Sequence, residues 1–372
     1  MTQSVKGFRV HRMELYAYSP SLQTKIDRLL TRKRPPTLKT PGLSSPFLLA
    51  PMAAIGNAPF RLLMQNLGHG GAVSEFISCK GILHGNRRTR EMLRIDPGEK
   101  NVGIQLYGHD PDEMSRAALI AEESGAQFID INMGCPVRKV VGRGEGAAML
   151  KDPVAVGRCL EALKKVLSVP LTIKIRTGWD EQSINGDEIC HVAAQSGVSM
   201  VSVHGRTRAQ GYRGKCDWDY IENLALRSPL PIVGNGDLHC PRRVRARAQK
   251  THCGALMIAR GCLRNPFIFL ESYLEEDESS PFVAQDYLEV LMRFREYVCA
   301  FFPKESHQIS QVRKLVLWFA YGFPGAVQFR SKLFLQKSMK DLMIYAQDYF
   351  APLGTRQKSI DYNADFMMSG HG

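Results

Sequence analysis

The sequence predicts an α/β fold, a (β/α)8 TIM barrel followed by a small helical bundle. Three observations carry this. Eight short apolar runs alternate with helix-period segments between Pro46 and about Tyr273. Polar residues close seven of those eight runs. After Glu275 the pattern changes to helical segments alone.

The expected strands are Phe47–Pro51, Ala72–Glu75, Val102–Leu106, Phe128–Asn132, Leu171–Ile175, Met200–His204, Ile232–Gly234 and Ala255–Ile258. Short β-rich runs bounded by turns and spaced by helices argue for a parallel sheet. Asp110-Pro111, Asp152-Pro153 and Cys240-Pro241 open helices with proline in the first turn. Gly125 and Gly197 stand where helix C-termini belong. A doubly wound open sheet is the alternative, and it usually carries a Gly-x-Gly-x-x-Gly turn after its first strand. Here that strand runs into Leu49-Ala50-Pro51-Met52-Ala53-Ala54, so the closed barrel is favoured. Acidic Glu275–Pro281 reads as a linker. Helical patterns follow at Val283–Phe301, Ser306–Tyr321 and Val327–Tyr345, the last two divided by Gly322-Phe323-Pro324-Gly325. The expected organisation is a basic N-terminal extension over 1–45, a barrel over 46–274, a helical domain over 282–350 and a polar tail over 351–372.

The chain has 372 residues, of which 44% are hydrophobic, enough for a large domain and a smaller one. No apolar run reaches the eighteen or so residues that span a bilayer. Residues 1–45 carry nine Lys and Arg against Glu14 and Asp27. They are partly amphipathic (Leu15, Leu22, Ile26, Leu29, Leu30), and the two acids argue against a transit peptide. Nine cysteines without Cys-x-x-Cys spacing argue against a disulfide framework and for a reducing cytoplasm. The adjacent pairs His239-Cys240 and His252-Cys253 lack ligand spacing, so no metal is expected. The net charge of +13 makes a polyanion a plausible partner. Basic residues gather at Arg32-Lys33-Arg34, Arg87-Arg88-Thr89-Arg90, Arg138-Lys139 and Arg206-Thr207-Arg208. Those at Arg242–Arg247 read as a solvated helix face.

In a barrel of this kind the chemistry sits at the C-terminal ends of the strands. There the sequence places Met52, Glu75, Gln105, Asn132 with Cys135 just beyond, Lys174 with Arg176, His204, Gly234-Asn235-Gly236-Asp237 and Ala259-Arg260-Gly261. Cys135 lies between Gly134 and Pro136, on a turn that would hold a thiol as an acid or nucleophile is held. A lone cysteine at a strand end is more often a small buried hydrophobe, and only the surrounding ring of polar residues favours chemistry. That ring suggests a flavin. Lys174 and Arg176 suit negative charge on its pyrimidine side, the amides of Gln105 and Asn132 suit its polar edge, and Pro51, Met52 and Ala53 suit its face. The turns after strands seven and eight are where such barrels bind phosphate, and Arg260 supplies a charged fork there. Asp237 reads as the cap of the next helix.

These residues resemble the tRNA-dihydrouridine synthases, within them the bacterial B-type subgroup, over roughly Phe47 to Lys340. The matching runs are Leu49-Ala50-Pro51-Met52-Ala53, Pro59-Phe60-Arg61, Asp130-Ile131-Asn132-Met133-Gly134-Cys135-Pro136 and Lys174-Ile175-Arg176-Thr177-Gly178-Trp179. Val203-His204-Gly205-Arg206-Thr207-Arg208, Gln210-Gly211-Tyr212-Arg213-Gly214 with Asp217-Trp218, and Asn235-Gly236-Asp237 continue the series. In the tail, Arg313-Lys314 precede Trp318 and Gly322-Phe323-Pro324-Gly325-Ala326.

The resemblance implies an FMN enzyme that uses NADPH to reduce the 5,6 double bond of particular uridines in tRNA. Hydride would pass from the flavin to C6, and Cys135 would give a proton to C5. Lys174 and His204 would hold the flavin; Gln105, Asn132 and Arg176 would meet the ring or the uracil. Arg138, Lys139, Arg206, Arg208, Arg313 and Lys314 would meet tRNA, which must extrude its base to reach the pocket. The chain departs from the family pattern at Ala54, where glycine is usual, at Gly56-Asn57 in place of Thr-Asp, and at Cys216. Two other readings share part of this evidence: a flavoenzyme acting on a free pyrimidine, and an RNA-binding protein on a catalytically inactive barrel. A monomer in the cytoplasm is the simplest expectation.

Overall fold

Eight parallel strands close on themselves in sequence order in the computed structural model, which describes residues 17–32, 38 and 44–362. The strands are β1 (Phe47–Leu49), β2 (Gly71–Ser78), β3 (Val102–Tyr107), β4 (Phe128–Met133), β5 (Leu171–Arg176), β6 (Met200–His204), β7 (Ile232–Asn235) and β8 (Ala255–Ile258). Closure comes from β1 pairing with β8, Phe47 opposite Leu256 and Leu49 opposite Ile258. A helix follows most strands, which is what a parallel connection requires.

The chain groups into two compact units. Of the described residues, one unit holds those of the barrel within 28–280, with Asp361 and Tyr362. The other holds 281–360 with 17–27. The described part of the N-terminal extension expected over 1–45 is therefore divided between the two groupings. Most of that extension, Leu15 included, lies outside the described residues, as does the expected tail from 363 onward.

Within the barrel unit, the helix starts read from the sequence have a visible cause. Asp110 accepts a hydrogen bond from Glu113 N, and Asp152 accepts one from Ala155 N, each at 2.9 Å. Cys240 makes no such bond, and Pro241 alone opens that helix. Strand β2 runs three residues past its expected end. Its pairing with β3 shifts between Val73 and Phe76, where Ser74 Oγ accepts from Gln105 N at 3.0 Å. The shift lets the strand continue and brings Phe76 to the barrel mouth. Inside the barrel lies an apolar cluster of Leu48, Ala50, Val73, Val233, Ala255 and Met257, joined by Phe128, Met200 and Ala259. Ala50, Met257 and Ala259 carry it up to the C-terminal end, where such barrels place their sites. The acidic segment expected to be a linker is also tied down: Glu278 pairs with Arg32 through both carboxylate oxygens.

The helical unit contains helices Ala284–Phe301, Glu305–Ala320, Ala326–Leu333 and Met339–Phe350. The last two were expected as one. Ser338 ends the continuity, because its hydroxyl caps the new helix by accepting from Asp341 N at 3.0 Å. Residues beyond 350 are held as well. Ala284 N donates to Arg356 O at 2.9 Å, and Ser359 N donates to Gly322 O at 3.0 Å. Phe329 stacks on Tyr345 and Tyr349 at 4.8 and 4.0 Å between ring centres. Among the described residues, no helix is long and apolar enough to cross a membrane.

Candidate active site

The strand ends open into a cavity of about 680 Å³. Its size is that of small-molecule and cofactor sites. Pro51, Met52, Ala53, Gln105, Asn132, Cys135, Lys174, Arg176, His204, Asn235, Gly236, Asp237, Ala259, Arg260 and Gly261 all line it, as does Arg138.

Cys135 sits on a turn held at three points. Asn132 Oδ1 accepts from Gly134 N at 3.2 Å and from Cys135 N at 2.9 Å. Arg176 Nε donates to Gly134 O at 2.7 Å. Ala147 N donates to Cys135 O at 3.1 Å. The thiol is nearly buried, and that burial pushes its pKa up, with Arg176 nearby opposing the shift. It therefore carries its proton at neutral pH.

Arg176 is a clamp. Besides Gly134 it donates through Nη1 to Thr207 O at 2.9 Å and Gly211 O at 2.8 Å. It thus joins the cysteine turn to the loop after β6. That loop carries Tyr212, whose ring lies 5.6 Å from the Arg176 guanidinium and 5.1 Å from that of Arg260. Burial lowers the Arg176 pKa to about 10.

Lys174 Nζ donates to Asn235 Oδ1 at 3.0 Å, and Asn235 Nδ2 in turn donates to Met257 O at 2.7 Å. Desolvation first, then the Arg176 charge, lowers Lys174 to about 8. His204 is pushed well below the usual histidine range by burial and by Arg176 and Lys174 beside it. Its Nε2 lies 3.2 Å from Arg206 Nη1. A guanidinium can only donate, so Nε2 accepts and the single ring proton is on Nδ1. Gln105 is fully enclosed, with Nε2 on Asp130 Oδ2 and Oε1 receiving Asn132 Nδ2, both at 2.7 Å.

Two expectations are corrected. Asp237 does not cap the next helix, which starts at Cys240 without a side-chain bond. Its carboxylate instead accepts from Arg206 Nη2 at 2.9 and 3.0 Å and from Cys216 N at 2.8 Å. Arg206 is correspondingly not a surface contact for RNA. It is 3% exposed, and its guanidinium also donates to Gly214 O and Arg213 O. The pair shapes the loop that carries Tyr212. Arg208 is half-buried over Trp179 at 4.3 Å, with Lys151 at 3.7 Å from the same ring. Arg138 and Lys139 are exposed on a short helix just after the cysteine turn. In the helical unit, Arg313 Nη2 donates to Gln336 O at 2.6 Å across the break between the last two helices, and Lys314 is half-buried next to it.

The sequence reading did not pick out Tyr212, Phe76 or Met257 as cavity residues. Tyr212 had a signal, an aromatic within a glycine-flanked basic loop. The departure at Ala54 also has a structural expression. Ala54 adopts φ +62°, the region glycine prefers, and its amide is held by the Glu75 carboxylate.

The charge balance of the cavity is one-sided. Arg138, Lys174, Arg176, Arg208 and Arg260 line it. Asp237, the one lining carboxylate among the described residues, is already paired with Arg206. Apolar Met52, Met257 and Ala259 line the same cavity. The arrangement suits a flat, electron-rich, anionic group, and so a flavin phosphate fits its donor set.

A closed parallel barrel with a cationic mouth and a poised thiol defines a barrel enzyme. The chain matches the family model described as dihydrouridine synthase (Dus) over residues 48–351, and it belongs to that family. It is 35% identical over 323 residues to a protein of Pseudomonas putida named tRNA-dihydrouridine synthase B, covering 86% of this chain and 94% of that one. It is 32% identical over 302 residues to a probable tRNA-dihydrouridine synthase of Rickettsia prowazekii, covering 79% and 91%. Among solved structures it resembles a 6-hydroxypseudooxynicotine amine oxidase of Pseudomonas geniculata, with a TM-score of 0.50 at 12% identity, covering 74% of this chain and 53% of that one. That likeness concerns the fold.

Proposed function

We propose that the protein reduces the 5,6 double bond of uridines in tRNA, using FMN and NADPH in the cytoplasm. The observation that carries the reading is a cysteine thiol pinned on a turn at the edge of a cationic cavity, in a chain of the dihydrouridine synthase family. When bound, FMN supplies the hydride for C6 of the uracil, and NADPH replenishes it.

The chain's own residues do the rest. Lys174 and the Nδ1–H of His204 would face the flavin's electron-rich side. Arg260 and the backbone at Gly236 and Gly261 would take its phosphate, while Met52 and Met257 pack on the ring. The Cys135 S–H bond breaks as a C–H bond forms at C5. The thiolate left behind is stabilised by the Arg176 charge until solvent returns a proton. Two hydrogens are added and nothing leaves. Exposed Arg138 and Lys139 beside this turn, with Arg208 and the helical unit's Arg313 and Lys314, would neutralise RNA phosphates and offset the cost of extruding the base.

The test is nucleoside mass analysis of unmodified tRNA incubated with the protein and NADPH. The expected product is uridine heavier by two hydrogens. A flavin that NADPH bleaches, with no change in the tRNA, would exclude this reading and point to a free pyrimidine.

Lys174 also sets a pH dependence. Its folded pKa, about 8, lies below its ordinary value, so the ammonium is lost as pH rises through 8. Affinity of the apoprotein for FMN is expected to fall over that interval, and Lys174→Met is expected to bind weakly without the step. His204, already neutral above its lowered pKa, adds no step near pH 6.5. Titration by flavin fluorescence quenching from pH 6 to 9 checks both.

A further inference from the structure

Strand β4 holds a buried carboxyl with no task in the reaction above. Asp130 is 1% exposed and lies two residues before Asn132, on the same side of the strand. Its Oδ1 accepts from Thr172 Oγ1 on β5 at 2.6 Å, and its Oδ2 accepts from Gln105 Nε2 on β3 at 2.7 Å. Gln105 Oε1 accepts from Asn132 Nδ2 at 2.7 Å, and Asn132 Oδ1 accepts from the amides of Gly134 and Cys135. Four side chains from three adjacent strands thus form one unbroken run, from the Thr172 hydroxyl to the turn that bears the thiol.

The direction of the run is determined from both ends. The two backbone N–H groups require an acceptor, so Asn132 must present its oxygen to them and its NH2 to Gln105. Gln105 must then present its oxygen to Asn132 and its NH2 onward, where only an acceptor will serve. Asp130 is that acceptor. An apolar side chain there would leave a fully buried NH2 unpaired, and both amides would be free to turn over.

We infer that Asp130 is a positioning residue for the thiol: through the amides of Gln105 and Asn132, it holds the Cys135 turn in register with the cavity. This rests on the reading of Cys135 as proton donor. It concerns geometry and not charge, and that makes it separable from any effect of the carboxylate on Lys174. Asp130→Asn keeps the run, since its oxygen accepts from Gln105 and its NH2 donates to Thr172 Oγ1, yet it removes the charge. Asp130→Leu breaks the run. Thr172→Val removes one supporting bond with little change of shape.

The experiment measures three rates in the parent and each variant. They are alkylation of Cys135 by iodoacetamide, followed by peptide mass analysis, bleaching of the bound flavin by NADPH, and return of its colour on adding tRNA. Asp130→Leu is expected to slow the tRNA step about tenfold to hundredfold, as loss of an orienting partner does, and to change the alkylation rate. The NADPH step should slow far less than the tRNA step, because the loss of charge beside Lys174 is shared with Asp130→Asn. Thr172→Val should show the same pattern to a smaller degree, and Asp130→Asn should match the parent in alkylation and in the tRNA step.

The inference is overturned if Asp130→Asn is as impaired as Asp130→Leu, or if both flavin steps slow equally. Parent-like alkylation and tRNA rates in Asp130→Leu would also overturn it. Should that variant not fold, parent-like thiol reactivity in Thr172→Val overturns it instead. Failure of the donor reading is distinct: Cys135→Ala would then turn over normally, while the alkylation rates still decide the positioning.

Discussion

Cys135→Ala is expected to keep its flavin spectrum and its affinity for tRNA while losing about 10²- to 10⁴-fold in the rate of dihydrouridine formation, the usual worth of a placed general acid. The substitution removes a single sulfur at the cavity wall. It leaves the backbone bonds of the turn in place, because Asn132, Arg176 and Ala147 all hold main-chain atoms. The scaffold is thus independent of the thiol, and the loss reports on chemistry alone. Initial rates by nucleoside mass analysis, with flavin absorbance and tRNA binding measured alongside, check it. A variant with the parent's turnover would remove the cysteine from the mechanism.

Arg61→Met is expected to carry the largest cost in stability. Arg61 and Glu99 form a bidentate pair, at 2.7 and 3.0 Å, with side chains 1% and 0% exposed. Arg61 also donates to Gly56 O at 2.9 Å, behind the turn that carries Met52 and Ala53. Burial pushes the Glu99 carboxyl up even with its partner present. Without Arg61 the carboxylate is buried and unpaired, a loss of about 3–5 kcal/mol. The sign with pH follows. In the variant the folded state holds the Glu99 proton more tightly than the unfolded chain does, so stability falls as pH rises through that interval and the deficit narrows in acid. Denaturant unfolding at pH 5 and pH 7 measures both. A deficit below about 1 kcal/mol, the worth of an exposed pair, would contradict the account.

Much of the site was legible because a strand end is a position that sequence can locate. Gln105, Asn132, Lys174, His204 and Asn235 each close an apolar run, and a closed barrel brings such residues together whatever the intervening lengths. Tyr212 was not legible in this way. It lies in a loop eight residues past His204 and reaches the cavity only because Arg176 and Arg206 fold that loop back. Asp237 was misread because a carboxylate before a helix gives the same local signal whether it meets that helix or a distant guanidinium. Phe76 depended on an irregularity in β2 that lets a strand outlast its apolar run. The break near Ser338 has no glycine or proline to mark it, only a cap three residues before an aspartate. The fold class survived these misses because the eight-fold alternation is redundant, whereas each missed residue depends on a single long-range contact.

The one-sided charge of the cavity has a consequence for the life of the protein. Lys174, Arg176, His204 and Arg260 come from separate stretches of chain, well apart and fully hydrated before folding. Assembling the barrel buries them together, and their lowered proton affinities record that loss of water first and, for Lys174 and His204, the repulsion of the neighbouring cations. A bound anion would relieve it, so ligand occupancy and folding are thermodynamically coupled and the melting temperature should track the supply of that anion. In a cell short of the cofactor, such a chain would be lost first to unfolding and turnover, before any defect in its chemistry became visible.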